Sequence, residues 1–382
     1  MRWLILLFPL KYIISKKDSE KVHRPIPSGK TIEVSPLIMN HHSVEIWVFN
    51  DNSQHISEFG VKLYVESQTM IEILRAKKSG NAIVTLAVGA NYLQNWQNFC
   101  SETWIKYCLK HDLGLYIQDE SLDLHKNQKK TQWQKILLLG ELSRIYPHVE
   151  NFCYLDTDIV INPQSSNVFD LIKPDCVNLV SQRKNLPFEL EGVLRRIAFN
   201  RNRYFDSRYP LDSALFMSAE QIYEHHGLPQ HDDYACTGLI AGNVRLLATA
   251  FEEIYQKYSA DVYSITNNGD EPILNSEFQD NFKVNWLPYN FQALWLYEIA
   301  AKYPFLYEKE FQIPHLIRRC AETILLSNNF LHFAGSWGES KMIEVGEFFK
   351  NSDLEDFLEY LDFPVTGIPV GVIRPGMFNE KN

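Results

Sequence analysis

Three short apolar runs limit what this chain can fold into. They are "AIVTLAVG" (82–89), the apolar core of "LGLYIQDE" (113–120), and "FCYL" (152–155) at the head of "FCYLDTDIVI". Each is too short for a buried helix, and each lacks the polar alternation of a strand with one wet face, so all three read as strands covered on both sides. Between the first two, Cys100, Trp104 and Tyr107/Cys108 recur at helical spacing. Before the third, "TQWQKILLLGELSRIYP" puts Leu138, Leu142 and Ile145 on one stripe, with Pro147 just beyond. Strand, helix, strand, helix, strand with short connections predicts an α/β fold: an open, Rossmann-like, mainly parallel sheet flanked by helices.

Asp156 and Asp158 then fall at the carboxyl end of the third strand, where sheets of this kind bind ligands. Residues i and i+2 of an extended segment project to the same side, so both carboxylates face one ligand. The chain has 19 Asp in 382 residues, and about one Asp-x-Asp is expected from random order, so the string itself is uninformative. Its position is informative: two acids directly after a buried strand need a counter-charge. Mg²⁺ or Mn²⁺ meets that need, being a hard cation that takes one or two carboxylates and leaves room for substrate phosphates. The competing reading has one Asp capping a turn and the other solvated.

A net charge of -10 excludes a non-specific nucleic-acid binder, because phosphate contact requires clustered excess Lys and Arg. A small anion carried with a divalent cation stays compatible. The six cysteines contain no Cys-x-x-Cys, so they are expected to be reduced, buried thiols rather than zinc ligands or disulfides. The opening "MRWLILLFPLKYIISKK" is too short to span a bilayer. It reads either as a membrane-surface anchor using Trp3 and the flanking Arg2, Lys11, Lys16 and Lys17, or as a segment docked on the body. The expected organisation is an N-terminal appendage (1–80), a main domain (81–345, in two halves at 81–163 and 164–345), and a C-terminal helix and tail (346–382). In the second half, "YACTGLIAGN" reads as a strand with Gly at points of close approach, "DEPILNSEF" as a loop opening a helix, and "NFLHFAGS" as a strand ending in a Gly turn.

"YLDTDIVINP", preceded by "WQKILLLGELSRIYP", resembles the DxD segment of nucleotide-sugar-dependent glycosyltransferases of the GT-A fold. "AIVTLAVGANY" resembles their first strand, and "DEPILNSEF" the Asp-Gln-x-x-Leu-Asn segment of the glycogenin and bacterial lipopolysaccharide galactosyltransferase-like family. "LHFAGS" resembles the His-Phe-x-Gly segment of that family. The resemblance implies a metal-dependent hexosyltransferase with Mn²⁺ or Mg²⁺ held by Asp156, Asp158 and His332. The donor would be a nucleoside diphosphate sugar, UDP-sugar first, and the acceptor a glycan, glycolipid or protein. It further implies that Gly335 lets backbone approach the phosphates, that Ala87, Val88 and Tyr92 line the nucleoside pocket, and that Lys135 stands near the donor. Asp270 and Glu271 would lie by the reacting sugar, and the anomeric configuration would be retained.

Two positions depart from the family pattern. Gly338 stands where a Lys is usual, leaving Lys341 as the nearest cation for the diphosphate, and Glu271 replaces Gln with Pro272 directly after it. An inverting enzyme would instead need a carboxylate base, for which Asp232 and Asp233 are candidates. Two alternatives are a non-catalytic sugar-binding protein and a sugar nucleotidyltransferase; the latter should show a Gly-rich, basic loop after the first strand, and "AVGANYLQNW" has no basic residue. The expected location is cytoplasmic, with peripheral membrane contact through the N-terminus.

Overall fold

The computed structural model describes residues 39–40, 43–47, 60–63, 70–123, 129–204, 214–259, 269–335 and 338–345. The anchor reading of residues 1–17 and the helix and tail expected at 346–382 lie outside the described residues. The chain divides into two compact units, Met1–Thr69 and Met70–Asn382. In the first, β1 (Met39–Asn40), β2 (Ser43–Trp47) and β3 (Gly60–Leu63) form an antiparallel sheet in that order.

The second unit begins with β4 (Met70–Leu74), β5 (Asn81–Leu86), α1 (Ala90–Phe99), α2 (Ser101–His111) and β6 (Gly114–Gln118). A 3-10 stretch, Thr131–Leu137, runs into α3 (Leu138–Ile145), followed by β7 (Asn151–Leu155), β8 (Ile159–Ile161), β9 (Val177–Val180) and α4 (Leu190–Tyr204). Next come α5 (Ala219–His226), β10 (Leu239–Asn243), α6 (Val244–Lys257), α7 (Glu271–Asn281) and β11 (Val284–Leu287). β12 (Ala293–Leu294), α8 (Trp295–Lys302), α9 (Pro314–Leu326) and β13 (Phe330–His332) close the series.

Seven strands form the central sheet in the order β11-β9-β10-β7-β5-β6-β4. β5 pairs parallel with β6 and β7, and β9 with β11; β10 runs antiparallel between β7 and β9, and β4 antiparallel along β6. The sheet is therefore mainly parallel, as the apolar runs predict, with one reversed internal strand and one reversed edge. Alternate residues feed two cores. Ile83, Ile117, Cys153 and Leu155 join α1, α2, α8 and α9 on one face, while Val84, Tyr116, Phe152 and Tyr154 join α3, α6 and α7 on the other. Burial on both faces is why these strands are continuously apolar.

Three features were not legible in advance. β4 lies within the stretch assigned from sequence to the appendage; its short "MIEIL" has a bulge and a charged residue, as edge strands do, and gives little sequence signal. The single helix expected over 131–145 begins as a 3-10 turn because Trp133, Gln134, Lys135 and Ile136 are all buried, which one apolar stripe of an α-helix cannot achieve. A second, three-stranded sheet orders β12-β13-β8. It pairs His332 with Ile159, the residue directly after Asp158. Among the described residues no helix is long and apolar enough to cross a membrane.

Candidate metal and donor site

β7 ends at Leu155, and the chain turns through Asp156-Thr157-Asp158 into β8. Asp156 N donates to the Gly238 carbonyl at 2.9 Å, and Phe333 N to the Asp158 carbonyl at 3.1 Å, so backbone bonds from β10 and β13 fix the turn. One oxygen of Asp156, Oδ1, accepts from the Tyr154 hydroxyl at 2.5 Å. The other, Oδ2, lies 3.8 Å from His332 Nε2, and Asp158 Oδ1 lies 3.1 Å from the same nitrogen. One ligand atom from each of the three residues falls within 4.8 Å of the others. His332 is buried and both acids are partly exposed. Burial opposes charge on the ring, but Asp158 and then Asp156 outweigh it and hold His332 above its ordinary value.

Asp158 Oδ1 is buried, and its polar neighbour is His332 Nε2, at 3.1 Å. That oxygen, the second oxygen of Asp156 and the ring nitrogen converge at one place. The donor set of two carboxylates and one imidazole suits Mn²⁺ or Mg²⁺. The residues therefore fit the cation that the sequence implies.

Lys135 lies beneath the acids, its Nζ 3.0 Å from Asp270 Oδ2 and 3.9 Å from Asp156 Oδ1. It also donates to the Thr237 carbonyl and hydroxyl at 3.2 and 3.1 Å. Its three N–H groups thus have partners within the protein, so it serves as counter-charge and brace. Burial works against the ammonium, yet Asp156 and Asp270 keep it charged well above the usual Lys range. Asp270 occupies the N-cap position of α7 without capping it; its carboxylate turns to Lys135 and accepts from Thr237 Oγ1 at 3.0 Å. Pro272 falls in the first turn of α7, where its missing N–H is no loss. Asn275 bonds both backbone groups of Ala235, at 2.7 and 2.9 Å, tying α7 to the segment that enters β10. The carboxylates Asp156, Asp158 and Asp270 outnumber the one ammonium of Lys135, a surplus of negative charge that a divalent cation would offset.

The Glu271 carboxyl is pushed up to about 6 by burial and then by Asp270, against the pull of Lys135. The Tyr234 hydroxyl lies 3.4 Å from one of its oxygens. The folded protein holds this proton to higher pH than the unfolded chain, for which the ordinary value is 4.5, so stability falls as pH rises through that window. We expect Glu271→Gln to match the parent in unfolding free energy below this window. At pH 7 it should exceed the parent by about 1 kcal/mol, after discounting for partial exposure. Urea unfolding at several pH values checks this; a constant difference from pH 4 to 8 would contradict it.

Gly238 is where β10 meets the site. A Cβ there would lie 2.4 Å from His332 Cε1, 2.9 Å from Gln292 Nε2 and 3.0 Å from Asp156 Oδ2, so no other residue fits without displacing a ligand. The glycine at close approach was visible in "YACTGLIAGN". Tyr154, Thr237 and Gln292, which brace the site, carried no sequence signal, because a buried Tyr, Thr or Gln is usually only structural.

The remaining expected residues are more dispersed. Ala87 belongs to the core, its N–H donating to the Gln118 carbonyl at 2.7 Å, and Val88 packs half-buried on the opposite face. Tyr92 is 62% exposed on the first turn of α1, after Gly89 at φ 101°. Gly335 follows β13 with φ 86°, a conformation that favours glycine. Lys341 is exposed in the 3-10 turn Ser340–Val345, which follows Glu339; the Glu339 carboxylate pairs with Arg201 of α4 at 2.6 Å. Asp233 accepts from Ser181 Oγ and from Tyr234 N, and Asp232 pairs with Lys184 at the surface. All six cysteines are free and buried.

Residues 79–214 match the profile of the galactosyl transferase GMA12/MNN10 family. The matched segment contains β5, the Asp-x-Asp turn and α4, and by this match the protein is a glycosyltransferase in class. No curated protein matches the chain. Among solved structures, one similar chain is described as a glycosyltransferase involved in the glycosylation of the major capsid of PBCV-1. It is 9% identical with a TM-score of 0.41, covering 70% of this chain and 99% of that one. Another is the apo form of the bifunctional glycosyltransferase WbbM, 13% identical with a TM-score of 0.39, covering 81% of this chain and 56% of that one.

Proposed function

We propose that the protein is a metal-dependent glycosyltransferase that moves a sugar from a nucleoside diphosphate sugar, UDP-sugar first, to a glycan, glycolipid or protein acceptor with retention of configuration. The observation that carries this reading is the convergence of Asp156 Oδ2, Asp158 Oδ1 and His332 Nε2, with acids in excess, at the carboxyl end of a sheet strand. Mn²⁺ or Mg²⁺ bound there would act as a Lewis acid on the departing diphosphate.

The chain's own groups do the rest. Tyr154 keeps one oxygen of Asp156 occupied, so the other is turned to the shared point. Lys135 and Asp270 hold each other and fix the field below the acids. Gly335 leaves backbone open to phosphate oxygens, Lys341 is the cation nearest in sequence for them, and Tyr92 offers an exposed ring for a base. Asp270, with Glu271 beside it, would stand near the reacting sugar or acceptor. Since Asp232 and Asp233 are both engaged elsewhere, an inverting general base gains no support from them.

Calorimetry of UDP binding with and without Mn²⁺, followed by a donor-hydrolysis screen over UDP- and GDP-sugars, tests the proposal. We expect binding only with Mn²⁺ and hydrolysis of one UDP-sugar above the others. Metal-independent binding would overturn the metal assignment. Binding without turnover of any donor would favour the non-catalytic reading.

A further inference from the structure

Gln292 is 2% exposed, and its amide touches three groups: the Cys236 carbonyl at 3.2 Å, Leu239 N at 3.1 Å and His332 Nδ1 at 3.2 Å. The two ends of an amide have the same shape, so their partners decide which is oxygen. Cys236 offers only an acceptor there, and Leu239 only a donor. With nitrogen on the Cys236 carbonyl and oxygen on the Leu239 N–H, both are satisfied; the reverse sets carbonyl against carbonyl and N–H against N–H. Two fixed backbone groups at the entry to β10 therefore place Gln292 Oε1 against His332 Nδ1.

An oxygen there can only accept, so Nδ1 must carry the ring proton. A neutral imidazole with its proton on Nδ1 has its lone pair on Nε2. Nε2 is the atom that faces Asp158 Oδ1 at 3.1 Å and Asp156 Oδ2 at 3.8 Å. Cys236 Sγ, 3.6 Å from Nδ1, is a weak acceptor and does not compete with the amide oxygen. Gly238 completes the arrangement, since a side chain there would strike both Gln292 and His332.

We propose that Gln292 is a positioning residue that fixes His332 as its Nδ1–H tautomer and so aims Nε2 as a ligand for a divalent cation; this rests on the metal-site reading above. The amide relays backbone geometry into ring chemistry, the task that a carbonyl or carboxylate behind a ligating histidine performs.

Two measurements on the full chain test it. In ¹⁵N-histidine-labelled protein saturated with Mg²⁺, long-range ring spectra should show His332 with its proton on Nδ1; a proton on Nε2 would overturn the proposal. Calorimetry with Mn²⁺ alone should show Gln292→Leu binding about 10- to 100-fold more weakly than the parent. Gln292→Glu, which retains an acceptor for Nδ1, should recover most of that loss. If the parent binds Mn²⁺ and Gln292→Leu, folded by circular dichroism, binds it equally well, Gln292 has no such role. Should the parent bind no Mn²⁺, the metal site itself falls. If Gln292→Leu does not fold, the ring spectra and Gln292→Glu still decide: equal tautomer fractions in the parent, or an affinity for Gln292→Glu as low as a His332→Ala control, would overturn the proposal.

Discussion

Asp158→Ala should abolish Mn²⁺-dependent nucleotide binding and lower donor turnover by about a thousandfold or more, equivalent to roughly 4 kcal/mol or above. The effect depends on which oxygen is removed. Asp156 has one oxygen on Tyr154, whereas Asp158 Oδ1 faces His332 Nε2. Its neighbour is itself a candidate metal ligand, so its loss should fall on the bound cation. Deleting one acid removes repulsion from Asp156 but also the carboxylate beside His332, so the melting temperature without metal should stay close to the parent's. Fluorescence melting with and without Mn²⁺ gives both readouts: the parent should gain stability from the metal and the variant should not. A variant that keeps its Mn²⁺-induced shift would place the cation elsewhere.

Lys135→Met should act in the opposite way, on the fold first. Lys135 is buried against Asp270, itself buried, and neighbours Asp156. Removing the ammonium leaves the buried Asp270 carboxylate uncompensated, and breaking such a pair from one side costs about 3–5 kcal/mol. We expect a melting temperature lower by roughly 6–15 °C, with activity lost as well. Lys135→Met combined with Asp270→Asn should recover much of the stability, because neither charge is then left alone, without recovering turnover. A single variant as stable as the parent would mean that the pair is not a structural charge couple.

Much of this arrangement was legible in the residues, for an identifiable reason. Strands covered on both faces are continuously apolar, so β5, β6 and β7 could be read directly, and Asp156 and Asp158 with them. His332 and Asp270 were singled out by the resemblance of "LHFAGS" and "DEPILNSEF" to family segments. The reversed direction of β10 was not legible, because a strand's apolar pattern is the same in either sense. The role of Gln292 was hidden for a related reason: it depends on which backbone groups of Cys236 and Leu239 face it, and side-chain identity does not encode that. Lys135 read as a helix cation near the donor, and its burial followed only once the 3-10 turn was seen.

The pairing of His332 with Ile159 also sets an order of events in folding. Asp156 and Asp158 sit in a turn between consecutive strands, while the imidazole arrives on the last strand of the described residues, after α4 to α9 have been laid down. Closing so long a loop is slow and entropically expensive compared with forming the local βαβ contacts. A slip of one residue in that late pairing would bring Leu331 or Phe333 to the acids in place of the ring. A half-folded chain therefore presents two carboxylates with no imidazole, and tight metal uptake during refolding should coincide with the final docking of β13 rather than with formation of the central sheet.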